Sequence, residues 1–154
     1  MVRSGLLFSG AQNTFFHKVI PEGVDDGILT AQEVSNIDLR GLDLVVLSAC
    51  QTALGEISGE GVFGLQRGFK MAGAQSIIMS LWSVSDKATQ DMMTEFYKAY
   101  NPDINNKREA FFIAQKFVKE HDSDYTYSND EDKDLELRKT HPHWAAFILL
   151  DAIE

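Results

Sequence analysis

The fold is most tightly constrained by an apolar run, Leu44–Leu47, that leads to the only cysteine of the chain, Cys50. An unbroken apolar run of this kind is typical of a strand buried on both faces, as in a parallel sheet. A second apolar run follows at 76–81, and segments with helical spacing of apolar residues separate and follow the two. Strands that alternate with helices in this way predict an α/β fold.

The same patterns predict the other elements. Helical spacing predicts helices at 62–71, 85–100 and 107–119, and apolar runs predict further strands at 5–8 and 144–150. Turn residues predict a loop over 11–26. Thr30 predicts the start of a short helix because Glu33 fits as its capping-box partner, with Val34 and Ile37 as the apolar face. The predicted core residues of the three longer helices include Leu65, Phe69 and Met71; Ala88, Met92, Phe96 and Ala99; and Ala110, Phe111, Ala114, Phe117 and Val118.

Length and charge restrict the class of protein. The 154 residues are enough for one domain with its own core, which an acidic insertion at 121–140 interrupts. A net charge of −9 argues against binding to nucleic acid or to an anionic membrane, because lysine and arginine supply most phosphate contacts. No run approaches the roughly 20 apolar residues of a membrane span. One cysteine allows no internal disulfide, so the expected location is the cytoplasm.

Motifs for cofactors and metals are weak. Residues 59–64 fit the glycine pattern of a dinucleotide-binding turn, but they begin well past the strand, and Glu60 would place a carboxylate against the pyrophosphate. Asp130, Asp132 and Asp134 alternate as in a calcium loop, but no glycine follows at the sixth position. No cluster of histidine and cysteine fits zinc. The sequence therefore predicts no cofactor and no metal.

The position of Cys50 alone allows two interpretations. Unpaired cysteines are often buried and serve only as small apolar side chains. The carboxyl ends of strands in an open α/β sheet are, however, where ligands and catalytic groups lie. Cys50 is therefore either a core residue or a nucleophile.

Five segments, in one order along the chain, resemble the CHAT domain family. They read DGILTAQEV at 26–34, LSACQT at 47–52, GEGVFGLQR at 59–67, SLWSVSD at 80–86 and WAAF at 144–147. This bacterial-type family of cysteine peptidases is related to caspases and separases, and its members are often fused to tetratricopeptide repeats. The resemblance covers nearly the whole chain except the acidic insertion. It implies a caspase-like three-layer α/β/α sandwich with a mostly parallel sheet.

The resemblance also implies a catalytic role for Cys50. The thiol would attack a peptide carbonyl, a neighbouring histidine would accept its proton, and the backbone N–H of Cys50 would help to bind the oxyanion. Glu56, Glu60 and Asp86 would form an acidic pocket for a basic side chain of a protein or peptide substrate. Asp86 has a second interpretation, because with Ser85 it also fits the start of a helix.

The histidines of the chain depart from the family pattern. The family places its catalytic histidine in a His-Gly pair at the end of a strand that precedes the segment matching 5–8. The four histidines of this chain, none of which is followed by glycine, are His17, His121, His141 and His143. We therefore expect the base and the N-terminal strands of the domain to lie upstream, and the chain alone to be inactive.

The absence of those strands would also affect association. Without them, Leu44–Leu47 becomes an edge strand, which we expect to pair with a second copy of the chain or with a partner chain. Two classes of function remain. The chain is either part of a cysteine endopeptidase domain or a non-catalytic CHAT-like interaction module.

Overall fold

The computed structural model describes residues 5–16, 19, 22–47, 61–127, 136–137 and 139–151. Its strands are β1 (Gly5–Leu7), β2 (Ile28–Thr30), β3 (Leu44–Leu47), β4 (Ser76–Ser80) and β5 (Phe147–Leu150). Its α-helices are α1 (Ala11–Phe15), α2 (Ala31–Ser35), α3 (Gly61–Ala72), α4 (Asp86–Ala99) and α5 (Lys107–Glu120), and short 3₁₀ turns form at Pro102–Ile104, Asp122–Asp124 and His143–Ala146. Helices and strands alternate along the chain, which confirms the α/β class.

The described residues divide into two compact units. Those of 1–45 and 52–75 form the first unit, and those of 46–51 and 76–154 form the second.

In the first unit, β1 and β2 form an antiparallel pair in which Gly5 lies opposite Thr30. Gly27, just before β2, has a left-handed φ of 77°, and a Cβ there would lie only 2.6 Å from the backbone N of Ala11. Glycine therefore allows the chain to turn into β2 beside α1. The predicted loop at 11–26 thus contains a short helix, and β2 is a strand that the sequence patterns do not predict.

The short helix α2 begins at the predicted cap. Thr30 Oγ1 accepts a hydrogen bond from the backbone N–H of Glu33 (3.2 Å), and the Glu33 carboxylate accepts one from the backbone N–H of Thr30 (2.8 Å). This capping box is confirmed, and the backbone and hydroxyl hydrogen bonds from Thr30 lower the pKa of Glu33. Val34 is buried as predicted, whereas Ile37 lies beyond the end of α2 and is 44% exposed.

The helices α2 and α3 meet at a glycine. A Cβ on Gly68 would lie 2.5 Å from the backbone oxygen of Ala31 and 3.3 Å from its Cα, so a larger residue would push the two backbones apart. Leu65 and Phe69 of α3 are buried as predicted, but Met71 is 64% exposed.

The substitution Gly68→Ala should destabilise the chain by about 2 kcal/mol. A clash with backbone atoms costs up to about 3 kcal/mol, which exceeds the roughly 1 kcal/mol that alanine gains over glycine within a helix. Gly41→Ala is the matched control because a Cβ at Gly41 would have no neighbour within 4 Å. Urea denaturation of both variants measures the difference, and equal midpoints would contradict the prediction.

A described sheet has the strand order β3-β4-β5, of which β4, β5 and the end of β3 (Val46 and Leu47) belong to the second unit. The middle strand, β4, is buried at every residue, as predicted for a strand covered on both faces. β4 and β5 are antiparallel, with Ile77 opposite Leu150 and Ser80 opposite Phe147. The predicted terminal strand at 144–150 is thus a strand only from Phe147, because the residues before it form a 3₁₀ turn.

Antiparallel pairing is more frequent among the described strands than the resemblance implies. β1–β2 and β4–β5 are both antiparallel. The connection from β4 to β5 contains two helices that pack together, α4 and α5. Two successive helices return the chain to the end of the sheet at which β4 finished, so β5 runs in the opposite direction. In contrast, the single helix between β3 and β4 is a connection typical of parallel neighbours.

The helices α4 and α5 pack through the residues that the helical spacing predicts. The fully buried residues are Ala88, Met92 and Phe96 of α4 and Ala110, Ala114 and Val118 of α5. Alanine occurs on both faces, so the two backbones can approach closely around the larger side chains.

A charged cluster joins the start of β4 to the residue after β5. Ser76 Oγ donates a hydrogen bond to Asp151 Oδ1 (2.5 Å), and Arg108 Nε donates one to Asp151 Oδ2 (2.8 Å). Burial alone would raise the pKa of Asp151. The hydrogen bonds from Ser76 and Arg108, with the positive charges of Arg108 and Lys107, outweigh burial, and the pKa is lowered.

The substitution Asp151→Asn should make the stability of the fold depend less on pH in the acidic range. Because the pKa of Asp151 is lower in the folded chain than in the unfolded chain, its carboxylate stabilises the fold above the unfolded pKa, near 4. That contribution is lost as the pH falls through the folded pKa. Thermal unfolding from about pH 5 down to about pH 2 should therefore show a smaller loss for Asp151→Asn than for the wild type. The exposed Asp25→Asn is the control, and parallel curves for Asp151→Asn and the wild type would contradict the prediction.

The start of the predicted acidic insertion, 121–127, is packed. Tyr125 is 1% exposed, and its hydroxyl donates a hydrogen bond to Asp91 (3.1 Å). Burial is the largest cause that raises the pKa of Tyr125, and the contact with Asp91 is the second. Asp122 Oδ1 accepts a hydrogen bond from the backbone N–H of His143 (3.1 Å). These residues therefore belong to the fold, while much of the remaining insertion lies outside the described part of the chain.

Candidate active site

The strand β3 ends at Leu47, shortly before the predicted nucleophile. Cys50 and two predicted pocket residues, Glu56 and Glu60, lie outside the described residues, as does His17. The structure thus defines the strand that leads to Cys50. Alternate residues of this strand are buried, so its backbone is anchored in the protein.

The third predicted pocket residue, Asp86, is the first residue of α4 and is exposed. Ser85 caps this helix, because its Oγ accepts a hydrogen bond from the backbone N–H of Ala88 (3.1 Å). A carboxylate in the first turn also interacts favourably with the helix dipole. The geometry therefore fits the helix-start interpretation of Asp86, and the exposed carboxylate is at the same time accessible to a ligand.

The segment between β4 and α4 contains a tryptophan to which the sequence patterns assign no role. The N–H of Leu81 donates to the carbonyl of Ala146 (2.8 Å), which extends the pairing of β4 with β5. The next residue is Trp82, whose indole Nε1 is buried without an acceptor among the described residues. Its ring meets the edge of His141, with 5.5 Å between ring centroids. Buried donors without acceptors are rare, so we include Trp82 in the candidate site. The signal in the sequence is the position of tryptophan directly after a buried strand.

The three described histidines have packing roles. His143 is fully buried, and two tyrosine rings lie against it, with 3.9 and 5.5 Å between ring centroids. His121 stacks on Phe117, with 4.1 Å between centroids. His141 is exposed, and its ring contacts the Trp82 indole. Each imidazole thus contacts an aromatic ring of the described chain.

The described residues contain neither a helix long and apolar enough to cross a membrane nor a group of three metal-binding side chains.

These features define an α/β domain in which a half-buried strand leads to a cysteine and a capped helix follows the next strand. A family model described as the CHAT domain matches residues 2–152, and the chain therefore belongs to the CHAT domain family. The resemblance seen in the sequence is confirmed.

Two mammalian proteins are similar to about half of the chain. Tetratricopeptide repeat protein 28 of Mus musculus is 38% identical over 73 residues, which are 47% of this chain and 3% of that protein. The protein of the same name from Homo sapiens is 36% identical over 72 residues, again 47% of this chain and 3% of that protein. The matched part is thus a small fraction of each relative, and both relatives are mammalian. No solved structure matches the chain significantly.

Proposed function

We propose that the chain is the nucleophile-bearing part of a caspase-like cysteine endopeptidase, with Cys50 as the nucleophile. The observation that carries this proposal is the match to the CHAT family over residues 2–152, which includes the cysteine that follows β3. Ligands of open α/β sheets bind beyond the carboxyl ends of the strands, which supports a role in binding or catalysis for a cysteine that follows a strand.

The proposed reaction proceeds through a thioester. A base takes the proton of the Cys50 thiol, and the sulfur forms a bond with the carbonyl carbon of the scissile peptide. The backbone N–H of Cys50 donates a hydrogen bond to the oxyanion of the tetrahedral intermediate. The C–N bond then breaks as the protonated base gives its proton to the leaving amine. Water hydrolyses the thioester and regenerates the thiol.

We assign the base to a histidine outside residues 1–154. The described histidines all pack against aromatic rings, and no histidine of the chain precedes glycine as the family pattern requires. A cysteine thiol with a pKa near 8.5 is mostly protonated at neutral pH, so attack without a base is slow. The single cysteine also fits a cytoplasmic location, where the thiol stays reduced.

We assign the binding of a basic substrate side chain to Glu56, Glu60 and Asp86. Three carboxylates around one end of a sheet would attract the ammonium of lysine or the guanidinium of arginine. The exposure of Asp86 supports this role, because its carboxylate is accessible.

The substitution Asp86→Asn should test the pocket separately from the helix start. Asparagine can still occupy the first turn of α4 but lacks the charge. We expect labelling of Cys50 by an arginine-containing peptidyl probe to slow about tenfold, and labelling by a leucine-containing probe to stay unchanged. An equal change in the labelling rates of both probes would indicate that Asp86 acts only at the start of the helix.

A second candidate function is a non-catalytic CHAT-like interaction module. It is favoured by the packing roles of the described histidines. β3 stands at one end of the described sheet order β3-β4-β5. A strand from a second copy or from a partner chain could therefore add to its edge.

Labelling with a thiol-reactive peptidyl probe separates the two functions. Because Cys50 is the only cysteine, any alkylated product reports on this residue, and Cys50→Ser is the blank. The peptidase proposal expects the folded chain to react faster with a peptidyl chloromethyl ketone than with a chloromethyl ketone lacking the peptide. Equal rates, or no reaction of the folded chain, would favour the interaction module.

A further inference from the structure

We propose that the chain forms a two-fold symmetric dimer through the outward face of α5. This interface is separate from the β3 edge and independent of the proposed peptidase function. The occupant of the α5 face is a second copy of the same chain.

The outward face of α5 carries an apolar pair between two opposite charges. Phe112 is 65% exposed and Ile113 is 43% exposed. Glu109 lies about one turn before this pair and Lys116 about one turn after it, and both are exposed. Residues three, four and seven apart share one helix face, so the four side chains form a single stripe.

This stripe complements itself when two helices pack antiparallel. A two-fold axis between Phe112 and Ile113 places Phe112 of each copy opposite Ile113 of the other copy. The same rotation places Glu109 of each copy opposite Lys116 of the other. The arrangement therefore buries the apolar pairs of both copies at the axis. One ion pair between Glu109 and Lys116 lies on either side of them. A parallel arrangement would instead place like charges opposite each other.

The charged residues of the stripe are available for this pairing. The Lys116 ammonium lies 3.8 Å from Glu120, a long contact between two largely exposed side chains that contributes little to stability. Glu109 is exposed and has no ion pair with another described residue. Both side chains can therefore reach a second copy with little loss within their own chain.

A groove beside the stripe offers space for an apolar side chain of the second copy. It has a volume of about 500 Å³, and its walls include Phe112, Trp144 and Lys119. Lys119 Nζ lies 4.6 Å from the centroid of the Trp144 ring, and Gln115 Nε2 donates a hydrogen bond to the Trp144 carbonyl (3.1 Å). The groove is thus fixed by contacts within the chain and does not need to form on association.

Sedimentation velocity of the full 154-residue chain over micromolar concentrations tests the proposal. The wild type should dimerise, and Phe112→Glu should be a monomer, because it places two carboxylates at the axis. Tyr97→Glu is the matched control, since Tyr97 is also an exposed aromatic residue on a helix, 56% exposed, but lies on α4. Tyr97→Glu should dimerise like the wild type.

Charge reversal tests the antiparallel pairing itself. In a dimer of either Glu109→Lys or Lys116→Glu, like charges face each other on both sides of the axis. Each substitution should therefore raise the dimer Kd about tenfold. The double variant restores both pairs with reversed polarity and should dimerise nearly as well as the wild type. This recovery also shows that the reversed side chains are compatible with folding. A monomeric wild type, or a dimer that neither Phe112→Glu nor the reversals weaken, would overturn the proposal; the latter result would point to the β3 edge.

Discussion

Peptide cleavage by residues 1–154 alone should be negligible, and a longer chain that supplies a His-Gly segment should cleave at least about a hundredfold faster. The reason is that a positioned base contributes about 10²- to 10⁴-fold to proton transfer in such reactions. A fluorogenic peptide with arginine or lysine before the scissile bond is the appropriate substrate, because the proposed pocket is acidic. Initial rates of the two chains at equal concentration give the ratio directly.

The controls for this experiment are substitutions of the two proposed catalytic groups. Cys50→Ala and replacement of the supplied histidine by alanine should each remove the activity of the longer chain. His121→Ala should leave it nearly unchanged, because His121 stacks on Phe117 and has no proposed part in proton transfer. Cleavage by residues 1–154 alone that is lost in Cys50→Ala would instead place a base within this chain.

Replacing Phe96 with alanine should lower the free energy of unfolding by about 3–5 kcal/mol. Phe96 is fully buried on α4. Its ring stacks on Tyr100, with 5.4 Å between centroids, and meets the edge of Tyr97 at 5.1 Å. Truncation removes these contacts and leaves a cavity beside helices that cannot close completely around it. Because domains are stable by only about 5–15 kcal/mol, the loss would be a large fraction of the total.

The neighbouring residue provides the control. Tyr97 carries a ring of similar size but is 56% exposed, so Tyr97→Ala should cost no more than roughly 1 kcal/mol. Urea denaturation monitored by circular dichroism measures both variants. Equal losses for Phe96→Ala and Tyr97→Ala would show that burial at α4 is not what stabilises this part of the fold.

Long elements could be predicted from the sequence because many residues report on one buried face. The helices predicted at 85–100 and 107–119 are observed at Asp86–Ala99 and Lys107–Glu120. The helix α1 and the strand β2 were not predicted, because segments of five and three residues are too short to show a periodic spacing of apolar residues. The strand β2 forms because it pairs with β1, a contact between residues far apart in the sequence.

Predictions from local composition were incomplete where a single buried side chain fixes the position of a segment. The acidic residues around Tyr125 predict the start of an insertion, yet the buried tyrosine ring packs that start against the fold. The same limit applied to Met71 and Ile37, which fit apolar spacing but lie at or beyond helix ends and are exposed.

The candidate site could be predicted only in part. The type and order of the residues around Cys50 carry the family signal, and the family is confirmed. The capped start of α4 at Ser85 also follows from residue types alone. The buried indole N–H of Trp82 could not be predicted, because the lack of an acceptor is a property of the folded surroundings. The roles of Cys50 in catalysis and of Asp86 in substrate binding remain predictions for the experiments above.

The contacts between 121–127 and 141–143 also make this protein a convenient host for inserted sequences. The Tyr127 hydroxyl donates a hydrogen bond to the carbonyl of His141, the Tyr127 ring stacks on His143, and Asp122 binds the backbone of His143. The stretch between these contacts thus has both ends fixed. Doubling the length of a loop with fixed ends costs only about 0.6 kcal/mol in closure entropy. An affinity tag or a fluorescent reporter placed there should leave the remainder of the domain folded.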